Sequence, residues 1–409
     1  MKVALVYDRV NKWGGAERVL LALHKLFPKA PLYTSVYDEK KAPWALRFNS
    51  GQAKIKTSFL QSFPFASSSH ELYAALMPIA FESFSFDNYD LVISVTSEAA
   101  KGIITKPKTV HVCYCLTPTR YLWSGYKDYF MNPYLRFISK PVVYYLRSWD
   151  RIAAQRPDVY IAISKEVQGR IKRYYGRESI VIYPPVGINF QKTQKTQIIR
   201  TSDTSEYQKV RQSDLSDSLT IRPSEFSEYS GSYFLIVSRL VPYKRIDLAV
   251  KAFNKLKFLL KIVGIGSEYK KLRSIAKPNI EFLGYLTEGE LVRYYRDCRA
   301  LVFPGIEDFG LTILEAQSFG KSVIAFRNGG ALETIIEGKT GEFFYPQTEE
   351  ALVKKIKEFK NSQYDPSECI KNVKKFSYER FRKEFMDIIN TISKLKAKNS
   401  KLQRKAKSE

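Results

Sequence analysis

The chain has 409 residues, of which 44% are hydrophobic and 14% aromatic, so it can bury sizeable cores, and a chain disordered throughout is excluded. At roughly 100–200 residues per domain, two domains are expected. The 66 Lys and Arg residues outnumber the 41 Asp and Glu residues, and the formal net charge of +25 favours anionic partners such as nucleic acid, anionic lipid or phosphorylated small molecules.

Strands and helices alternate through the first half of the chain. Residues 2–7 are typical of a short buried strand, and the Gly14-Gly15 loop leads into a segment with apolar residues at helical spacing. An aromatic and basic helical segment is predicted at 134–155. Further strands are predicted at 90–95, 109–115, 159–163 and 180–183. This alternation predicts a parallel sheet with helices on both faces.

The composition changes after residue 186. Residues 187–232 become rich in Ser, Thr, Gln and Glu and poor in aliphatic residues, which predicts a polar insertion or linker. A second α/β series begins at Tyr233, with strands predicted at 233–237, 259–263, 280–283, 300–303 and 322–325. Helices are predicted at 245–256, 287–297, 331–336, 349–360 and 377–394, and another is predicted to begin at about Thr312.

These elements predict an α/β fold of two Rossmann-like domains. The first spans 1–186 and the second 233–372, and residues 373–409 form a last helix with a polybasic tail. Ligands of such sheets bind outside the carboxyl ends of the strands. We therefore expect the functional site in a cleft between the two domains.

The N-terminal sequence and the cysteines indicate in which cellular compartment the protein is expected. The first apolar run ends at Tyr7 and is too short for the core of a signal peptide. No stretch approaches the roughly 18 apolar residues of a membrane span. Cys113 and Cys115 are expected to be buried free thiols in a reducing compartment. The sequence therefore predicts a cytoplasmic protein that is not integral to a membrane.

The most informative stretch runs from Phe303 to Glu315. It predicts a strand end, a loop with Glu307, and a helix that begins near Leu311. Exposed amides at a helix start attract a diphosphate, and Gly310 allows the backbone to approach closely. Glu307 can accept hydrogen bonds from sugar hydroxyls and Glu315 from a ribose, so this pattern favours a nucleotide sugar, although a surface loop with a first-turn Glu would also explain it.

Two further features support a phosphate site, each more weakly, and a third concerns the base of the nucleotide. Arg239 and Lys244 follow the first strand of the second half and can stabilise a leaving diphosphate, or form a solvated basic loop. Gly14-Gly15 can present backbone N–H groups to the diphosphate, or form a plain turn. The stretch that begins at Gly264 lacks a full GxGxxG pattern, so we interpret it as a tight turn near the base of the nucleotide and not as an NAD site.

Metal chemistry has no support in the sequence. The chain contains no Asp-x-Asp and no Walker P-loop, and its only histidines are His24, His70 and His111. Structural or surface roles are expected for these histidines. We therefore expect neither a metal ion nor another cofactor, with the nucleotide sugar acting as a co-substrate.

Taken together, these stretches resemble glycosyltransferase family 4, a group of retaining enzymes with the GT-B fold, over nearly the whole chain. The resemblance is carried by the Gly14-Gly15 loop, Ala162-Ile163-Ser164-Lys165, Tyr183-Pro184-Pro185-Val186, the stretch from Val237 to Arg245, and the segment from Glu307 to Glu315, which resembles the family's E-x7-E motif. It implies that the final helix crosses back onto the N-terminal domain. It also implies donor roles for Arg239, Lys244, Glu307, Phe309, Gly310, Leu311, Thr312 and Glu315.

The chain departs from the family on the acceptor side. Leu116 stands where the family usually has the His of a His-Thr-Pro stretch, and Ser97 stands where a His is frequent. The resemblance leaves Ser97, Thr117 and Arg120 as acceptor-side candidates. The missing histidines put any histidine role in doubt, and the leaving phosphate can itself take the proton of the acceptor.

We therefore predict a retaining, metal-independent hexosyltransferase that moves mannose or another hexose from GDP-mannose or a UDP-sugar to a glycan, lipid-linked or protein-linked acceptor. A GT-B sugar-nucleotide epimerase, a catalytically silent relative and, with less support, a nucleic-acid-binding protein remain alternatives; no nucleic-acid partner is expected. Seven basic residues in 394–409, together with the 134–155 segment, predict peripheral binding to an anionic membrane surface. A helix packed into its domain and a solvated tail would explain the same residues.

Overall fold

The structure is a computed structural model that describes residues 1–49, 54–130, 132–186 and 233–405. The polar segment at 187–232 and residues 406–409 lie outside the described residues. Two compact units are present: unit 1 comprises Met1–Pro185 and Phe376–Glu409, and unit 2 comprises Val186–Lys375.

The sheet of unit 1 has seven strands in the order β3-β2-β1-β4-β5-β6-β7, and each neighbouring pair is parallel. All six residues of β4 and of β5 are buried, as expected for a parallel sheet covered on both faces. The strands are β1 (Val3–Tyr7), β2 (Leu32–Thr34), β3 (Ile55–Thr57), β4 (Leu91–Thr96), β5 (Val110–Cys115), β6 (Val159–Ala162) and β7 (Ile180–Val181).

The helices of unit 1 that precede β7 are α1 (Gly15–Leu26), α2 (Met77–Glu82), α3 (Tyr126–Tyr129), α4 (Pro133–Ile138), α5 (Lys140–Ala153) and α6 (Lys165–Tyr175). Short 3-10 helices lie at Pro43–Asn49, Phe59–Ser62, His70–Leu76 and Ala100–Gly102. The single helical segment predicted at 134–155 is therefore two helices. A proline in the first turn of α5 lacks a backbone N–H and favours a new helix start after Ser139.

The sheet of unit 2 has six parallel strands in the order β10-β9-β8-β11-β12-β13. Consecutive residues of β8 pack into different cores, because Phe234 and Ile236 join one hydrophobic cluster and Leu235 joins the other. The strands are β8 (Phe234–Val237), β9 (Leu260–Val263), β10 (Ile280–Gly284), β11 (Ala300–Phe303), β12 (Val323–Phe326) and β13 (Gly341–Phe344). Both faces of this sheet are therefore covered, as predicted.

The helices of unit 2 are α7 (Ile246–Leu256), α8 (Tyr269–Ile275), α9 (Glu288–Asp297), α10 (Leu311–Ser318), α11 (Ala331–Thr334), α12 (Glu349–Glu358) and α13 (Pro366–Lys374), with 3-10 helices at Pro242–Lys244 and Asn361–Gln363. Local sequence explains several of their starts. Thr287 and Glu290, for example, form a reciprocal capping box at the start of α9.

The last helix, α14 (Tyr378–Lys405), belongs to unit 1. Phe381 and Phe385 lie with ring centroids 6.0 and 6.3 Å from that of Tyr114 on β5. The helix extends to Lys405, beyond the predicted end at residue 394. Within the described residues, no helix is long and apolar enough to cross a membrane. All four cysteines are free and buried, which confirms the prediction made for Cys113 and Cys115.

A buried ion pair links α5 to the 3-10 helix Ala100–Gly102 of unit 1. Lys101 Nζ lies 2.5 Å from Asp150 Oδ1, and the two side chains are only 2% and 1% exposed. The carboxylate also accepts hydrogen bonds from Thr119 Oγ1 at 2.9 Å and Trp123 Nε1 at 2.7 Å. Burial opposes the charge on Lys101, but Asp150 outweighs this effect, so the pKa of Lys101 is raised.

Asp150→Ala is expected to lower the free energy of unfolding of unit 1 by about 3–5 kcal/mol, because it leaves the Lys101 ammonium buried without its counter-ion. Hydrogen exchange of the β4 and β5 amides measures this loss. The matched control is Asp87→Ala, since Asp87 and Lys106 form a pair at 2.6 Å with side chains 47% and 58% exposed; its cost should not exceed about 1 kcal/mol. Equal losses in the two variants would contradict the structural role of Asp150.

Candidate active site

The strand order of unit 2 locates a candidate site. The chain adds β9 and β10 on one side of β8, then crosses over and adds β11, β12 and β13 on the other side. The order therefore reverses between β8 and β11. In open parallel sheets, ligands bind in the crevice outside the carboxyl ends of the strands at this switch point. The two loops that leave it are 238–245 and 304–310, which contain Arg239, Lys244 and Glu307 among the predicted donor residues.

The structure brings Lys244 and Glu307 together at the switch point. The Lys244 ammonium forms an ion pair with the Glu307 carboxylate, and the two side chains are 7% and 25% exposed. Gly305 makes this approach possible, because a Cβ at this position would lie 2.7 Å from the Lys244 carbonyl oxygen. A nearly buried cation beside a partly exposed carboxylate can bind a phosphate through the one and a sugar hydroxyl through the other.

The first turn of α10 forms the next part of the site. Gly310 precedes the helix with φ of 90°, a left-handed conformation that favours glycine. The helix then begins at Leu311, and Leu311 and Thr312 are half-buried. The first N–H groups of a helix have no intrahelical partner, so this turn can donate to an anion. The side chain of Phe309 is buried, so only its backbone can contribute to binding.

Glu315 is buried inside unit 2 and only 2% exposed. One of its carboxylate oxygens accepts a hydrogen bond of 2.7 Å from the hydroxyl of Tyr295 on α9. The Tyr295 ring also stacks on Phe319, with centroids 5.9 Å apart. Sequence reasoning missed Tyr295 because it lies twenty residues before Glu315 and on a different helix.

Two glycines that sequence reasoning also missed support the Glu307 loop. A Cβ at Gly329, where φ is 62°, would lie 2.5 Å from the Glu307 carbonyl oxygen, and a Cβ at Gly330 would collide with the backbone of Phe309. The Gly330 N–H also donates to the Glu307 carbonyl at 2.9 Å. The Gly329-Gly330 pair was the signal available in the sequence, since it resembles the Gly14-Gly15 pair from which a loop was predicted.

Arg239 lies in the 238–245 loop, and Gly264 packs against the start of that loop. Arg239 donates a hydrogen bond to the hydroxyl of Tyr243, whose ring centroid is 5.1 Å from Lys244 Nζ. Gly264, with φ of 139°, packs so closely against Ser238 that a Cβ would collide with the Ser238 carbonyl. The structure therefore gives Gly264 a packing function beside the loop that carries Arg239, and its role toward a donor stays a prediction.

The remaining donor candidates, Gly14 and Gly15, lie in unit 1. Gly14 precedes α1 in extended conformation, and a Cβ there would lie 3.2 Å from Glu17 Oε2. Glu17 is held in turn by a buried hydrogen bond of 2.6 Å from the Tyr7 hydroxyl. The glycine loop is thereby fixed at the end of β1, and its donor role stays a prediction.

Unit 1 has its own switch point, between β1 and β4, and a second charged cluster lies there. Asp8 follows β1 and accepts hydrogen bonds from Thr96 Oγ1 and the Ser97 and Ala100 N–H groups at 2.7–2.9 Å. Arg9 lies 2.5 Å from the carboxylate of Glu98, which follows β4. Sequence reasoning named only Ser97 here, because the charged partners are about ninety residues apart in the chain.

His70 completes this cluster and is 8% exposed. Burial lowers the pKa of His70 to about 4, and the charge of Arg9 adds to the effect, so the imidazole is neutral at pH 7. Its Nδ1 atom is buried, has no hydrogen bond to the residues that the structure describes, and lies 3.4 Å from a carboxylate oxygen of Glu71. Burial alone would raise the pKa of Glu98, but Arg9 reverses the shift and lowers it. A neutral imidazole beside a carboxylate can hold a hydroxyl group.

The other acceptor candidates have protein partners. Thr117 is buried and accepts a hydrogen bond of 3.3 Å from Arg170, and the backbone of Arg120 accepts from the Gly125 N–H at 2.8 Å. Leu116 is 7% exposed and packs in the core. His111 is fully buried and bonded to Ser94 at 2.9 Å, which agrees with a structural role.

A metal site has no candidate in the part of the chain that the structure describes, since no group of three or more His, Cys, Asp or Glu side chains is placed to hold an ion. The charged groups at the unit 2 switch point are instead a cation, Lys244, paired with one carboxylate, Glu307.

Comparison with known proteins finds sequence similarity to glycosyltransferases. Residues 217–376 match the family model of the group 1 glycosyl transferases. An uncharacterized glycosyltransferase of Methanocaldococcus jannaschii is 32% identical over 157 residues, 37% of this chain and 45% of that protein. A probable sucrose-phosphate synthase of Thermosipho melanesiensis is 27% identical over 314 residues, 69% of this chain and 65% of that protein. The chain thus spans less than two thirds of the length of either relative.

The solved structures show the fold. The structure of Anabaena Alr3699/HepE in complex with UDP and glucose matches 95% of this chain and 99% of that chain, with a TM-score of 0.64 at 18% identity. This likeness confirms the predicted GT-B class of two Rossmann-like units. The sequence similarity to the group 1 glycosyl transferases is carried by residues 217–376.

Proposed function

We propose that this protein transfers a hexosyl group from a nucleotide sugar to a hydroxyl acceptor, with retention of configuration and without a metal ion. The Lys244–Glu307 pair at the unit 2 switch point, beside the first turn of α10, carries the proposal. The UDP and glucose bound in the HepE structure support a nucleoside diphosphate donor, and a UDP-hexose or GDP-mannose fits the site in chemical class.

Each residue has a distinct part in the proposed reaction. Lys244, Arg239 and the first amides of α10 bind the diphosphate, and Glu315, oriented by Tyr295, binds the ribose. Glu307 accepts hydrogen bonds from the sugar hydroxyls. These contacts place cations and N–H dipoles where negative charge develops as the diphosphate leaves.

The transfer step balances without another reactant. The bond between the anomeric carbon and the phosphate oxygen breaks, and its electron pair stays on the phosphate. The acceptor oxygen forms the new bond on the same face of the sugar, and the acceptor proton passes to the leaving phosphate. The products are the glycoside and the nucleoside diphosphate. This route requires no histidine base, which fits the buried, apolar position of Leu116.

The unit 1 switch point supports an acceptor site in that unit. The Glu98 carboxylate, held by Arg9, and the neutral His70 imidazole can accept hydrogen bonds from hydroxyl groups. Ser97, next to Glu98 in the same loop, remains an acceptor candidate. Thr117 remains a weaker candidate, because it is buried and accepts a hydrogen bond from Arg170, and Arg120 remains a candidate through its side chain.

The donor assignment predicts different effects for Lys244→Ala and Glu307→Gln. The donor is first identified as the UDP-hexose or GDP-mannose that raises the melting temperature, since binding stabilises the folded state. Lys244→Ala should then weaken binding of the nucleoside diphosphate, measured by calorimetry. Glu307→Gln should keep that affinity and lower turnover by about 10²–10³-fold.

The matched control for these variants is Lys255→Ala, because Lys255 also pairs with a glutamate, Glu349 at 2.8 Å, but is 58% exposed. It should leave binding and turnover unchanged. A Lys244→Ala variant with wild-type nucleotide affinity would remove Lys244 from the site. Turnover of the donor to an epimer without any acceptor would replace the transferase proposal by an epimerase.

Turnover is expected to persist in excess EDTA, because Lys244 and Arg239 supply the positive charge that a metal ion would bring to the diphosphate. Release of nucleoside diphosphate from the identified donor measures this. A complete loss that Mg²⁺ or Mn²⁺ restores would overturn the metal-independent mechanism.

His70→Asn is expected to lower the rate of transfer to the acceptor by about 10²-fold, the lower end of the range for a lost catalytic side chain. Hydrolysis of the donor by water should stay unchanged. A hydroxyl-positioning residue acts only on the acceptor, so the ratio of transfer to hydrolysis is the measurement. His24→Asn is the control, since His24 stacks on Phe48 at the opposite end of α1 from the switch point. An equal fall of both reactions would assign His70 to folding instead.

A further inference from the structure

Helix α4 exposes nearly all of its apolar surface. None of its six residues is buried, and Tyr134, Phe137 and Ile138 are 81%, 70% and 72% exposed. Leu135 is 60% exposed. So short a helix has little intrinsic stability in water and normally depends on a packed apolar face. Here its large side chains lie in solvent, so the fold itself does not explain them.

The exposed surface continues along α5. This helix buries Val143, Leu146, Asp150 and Ala153 against unit 1. Its opposite side carries exposed large side chains that belong to Val142, Tyr144, Tyr145 and Ile152. We call the exposed apolar side chains of α4 and α5 the aromatic face. A surface with so many exposed large apolar residues marks an interaction site.

The charge around the aromatic face has one sign. Residues 129–149 contain Arg136, Lys140 and Arg147 and no Asp or Glu. The next acidic residue, Asp150, is buried and paired with Lys101. The aromatic face therefore combines aliphatic and aromatic side chains with the cations Arg136, Lys140 and Arg147, a combination suited to the headgroup zone of an anionic bilayer.

Other occupants fit these side chains less well. A second copy bound through the same face would bring its cations against identical cations across a two-fold axis. A nucleic acid would neutralise the cations but offers no apolar phase for Leu135, Ile138 or Val142. An anionic bilayer satisfies both the apolar and the cationic groups.

We propose that α4 and the outward side of α5 dock this protein on an anionic lipid surface, with the aromatic face at the boundary between headgroups and acyl chains. The docking is independent of the proposed sugar transfer, because it involves none of the residues assigned to donor or acceptor. It agrees with the peripheral membrane binding predicted from 134–155 and assigns it to side chains that the structure shows in solvent.

The test is co-sedimentation of the full chain with vesicles of phosphatidylcholine alone or mixed equally with phosphatidylglycerol. Binding to the mixed vesicles is expected at low salt, with much weaker binding to the neutral ones. Arg136→Gln with Lys140→Gln should weaken it about fivefold for each cation removed. Leu135→Ser with Ile138→Ser should weaken it by more than about tenfold, because these side chains lose their burial in the acyl boundary.

Folding is not at risk in these variants, since none of the four side chains is buried. The matched control is Ile104→Ser with Lys106→Gln, an isoleucine and a lysine of unit 1 that are also exposed but lie outside the aromatic face; binding should be unchanged. Because no donor or acceptor is present, this result does not depend on catalysis.

Three results would overturn the proposal. Equal binding of the wild type and both aromatic-face variants would show that the face is not used. Binding that survives in both variants but is lost on removing residues 394–409 would assign docking to the tail. Self-association that the Leu135→Ser with Ile138→Ser variant abolishes, without any vesicle binding, would make the occupant a second copy of the chain.

Discussion

The parallel arrangement of every neighbouring strand pair is the constraint on which the sites of this protein depend. In a parallel sheet all carboxyl ends lie at one edge, so loops that are distant in sequence meet there. Each sheet also reverses its strand order once, between β1 and β4 in unit 1 and between β8 and β11 in unit 2. At each reversal two neighbouring loops diverge, and in both units a basic and an acidic side chain meet at that point.

The burial of three ion pairs separates structural from functional roles. Lys101 and Asp150 are closed to solvent on all sides, and Thr119 and Trp123 complete their hydrogen bonds. In contrast, the carboxylates of Glu307 and Glu98 are 25% and 19% exposed beside their cations. The Lys101–Asp150 pair therefore has a structural role, whereas a pair with a partly exposed carboxylate can exchange one protein partner for a ligand.

The sequence predicts those parts of the molecule that local patterns encode. The alternation of buried strands and amphipathic helices predicted both sheets, and the segment from Glu307 to Glu315 predicted a loop and helix start that the structure contains. The partners of these residues were not predictable in the same way. Tyr295 reaches Glu315 from another helix, and Arg9 reaches Glu98 across 89 residues. Such contacts result from strand order, which no short motif specifies.

The solvent exposure of side chains is the other property that local sequence patterns did not predict. The aromatic and basic residues of 134–155 fitted either a helix packed into unit 1 or a docking helix. The structure shows both, since α5 packs through Val143, Leu146 and Asp150 while α4 buries nothing. A helical period alone cannot distinguish these cases, because an apolar residue has the same signature whether its neighbour is protein or lipid.

Within unit 1, Lys101 joins the aromatic face to the candidate acceptor cluster. Its ammonium donates to the carboxylate of Asp150 on α5 and to the backbone carbonyl of Glu98, both at 2.5 Å. The helix that carries the docking side chains and the loop that carries a proposed acceptor ligand are thus tied to one buried cation. A buried charge tolerates little separation from its partners. The proposed docking helix and the proposed acceptor loop are therefore linked by one buried cation of unit 1, an arrangement that would suit an acceptor presented at a membrane.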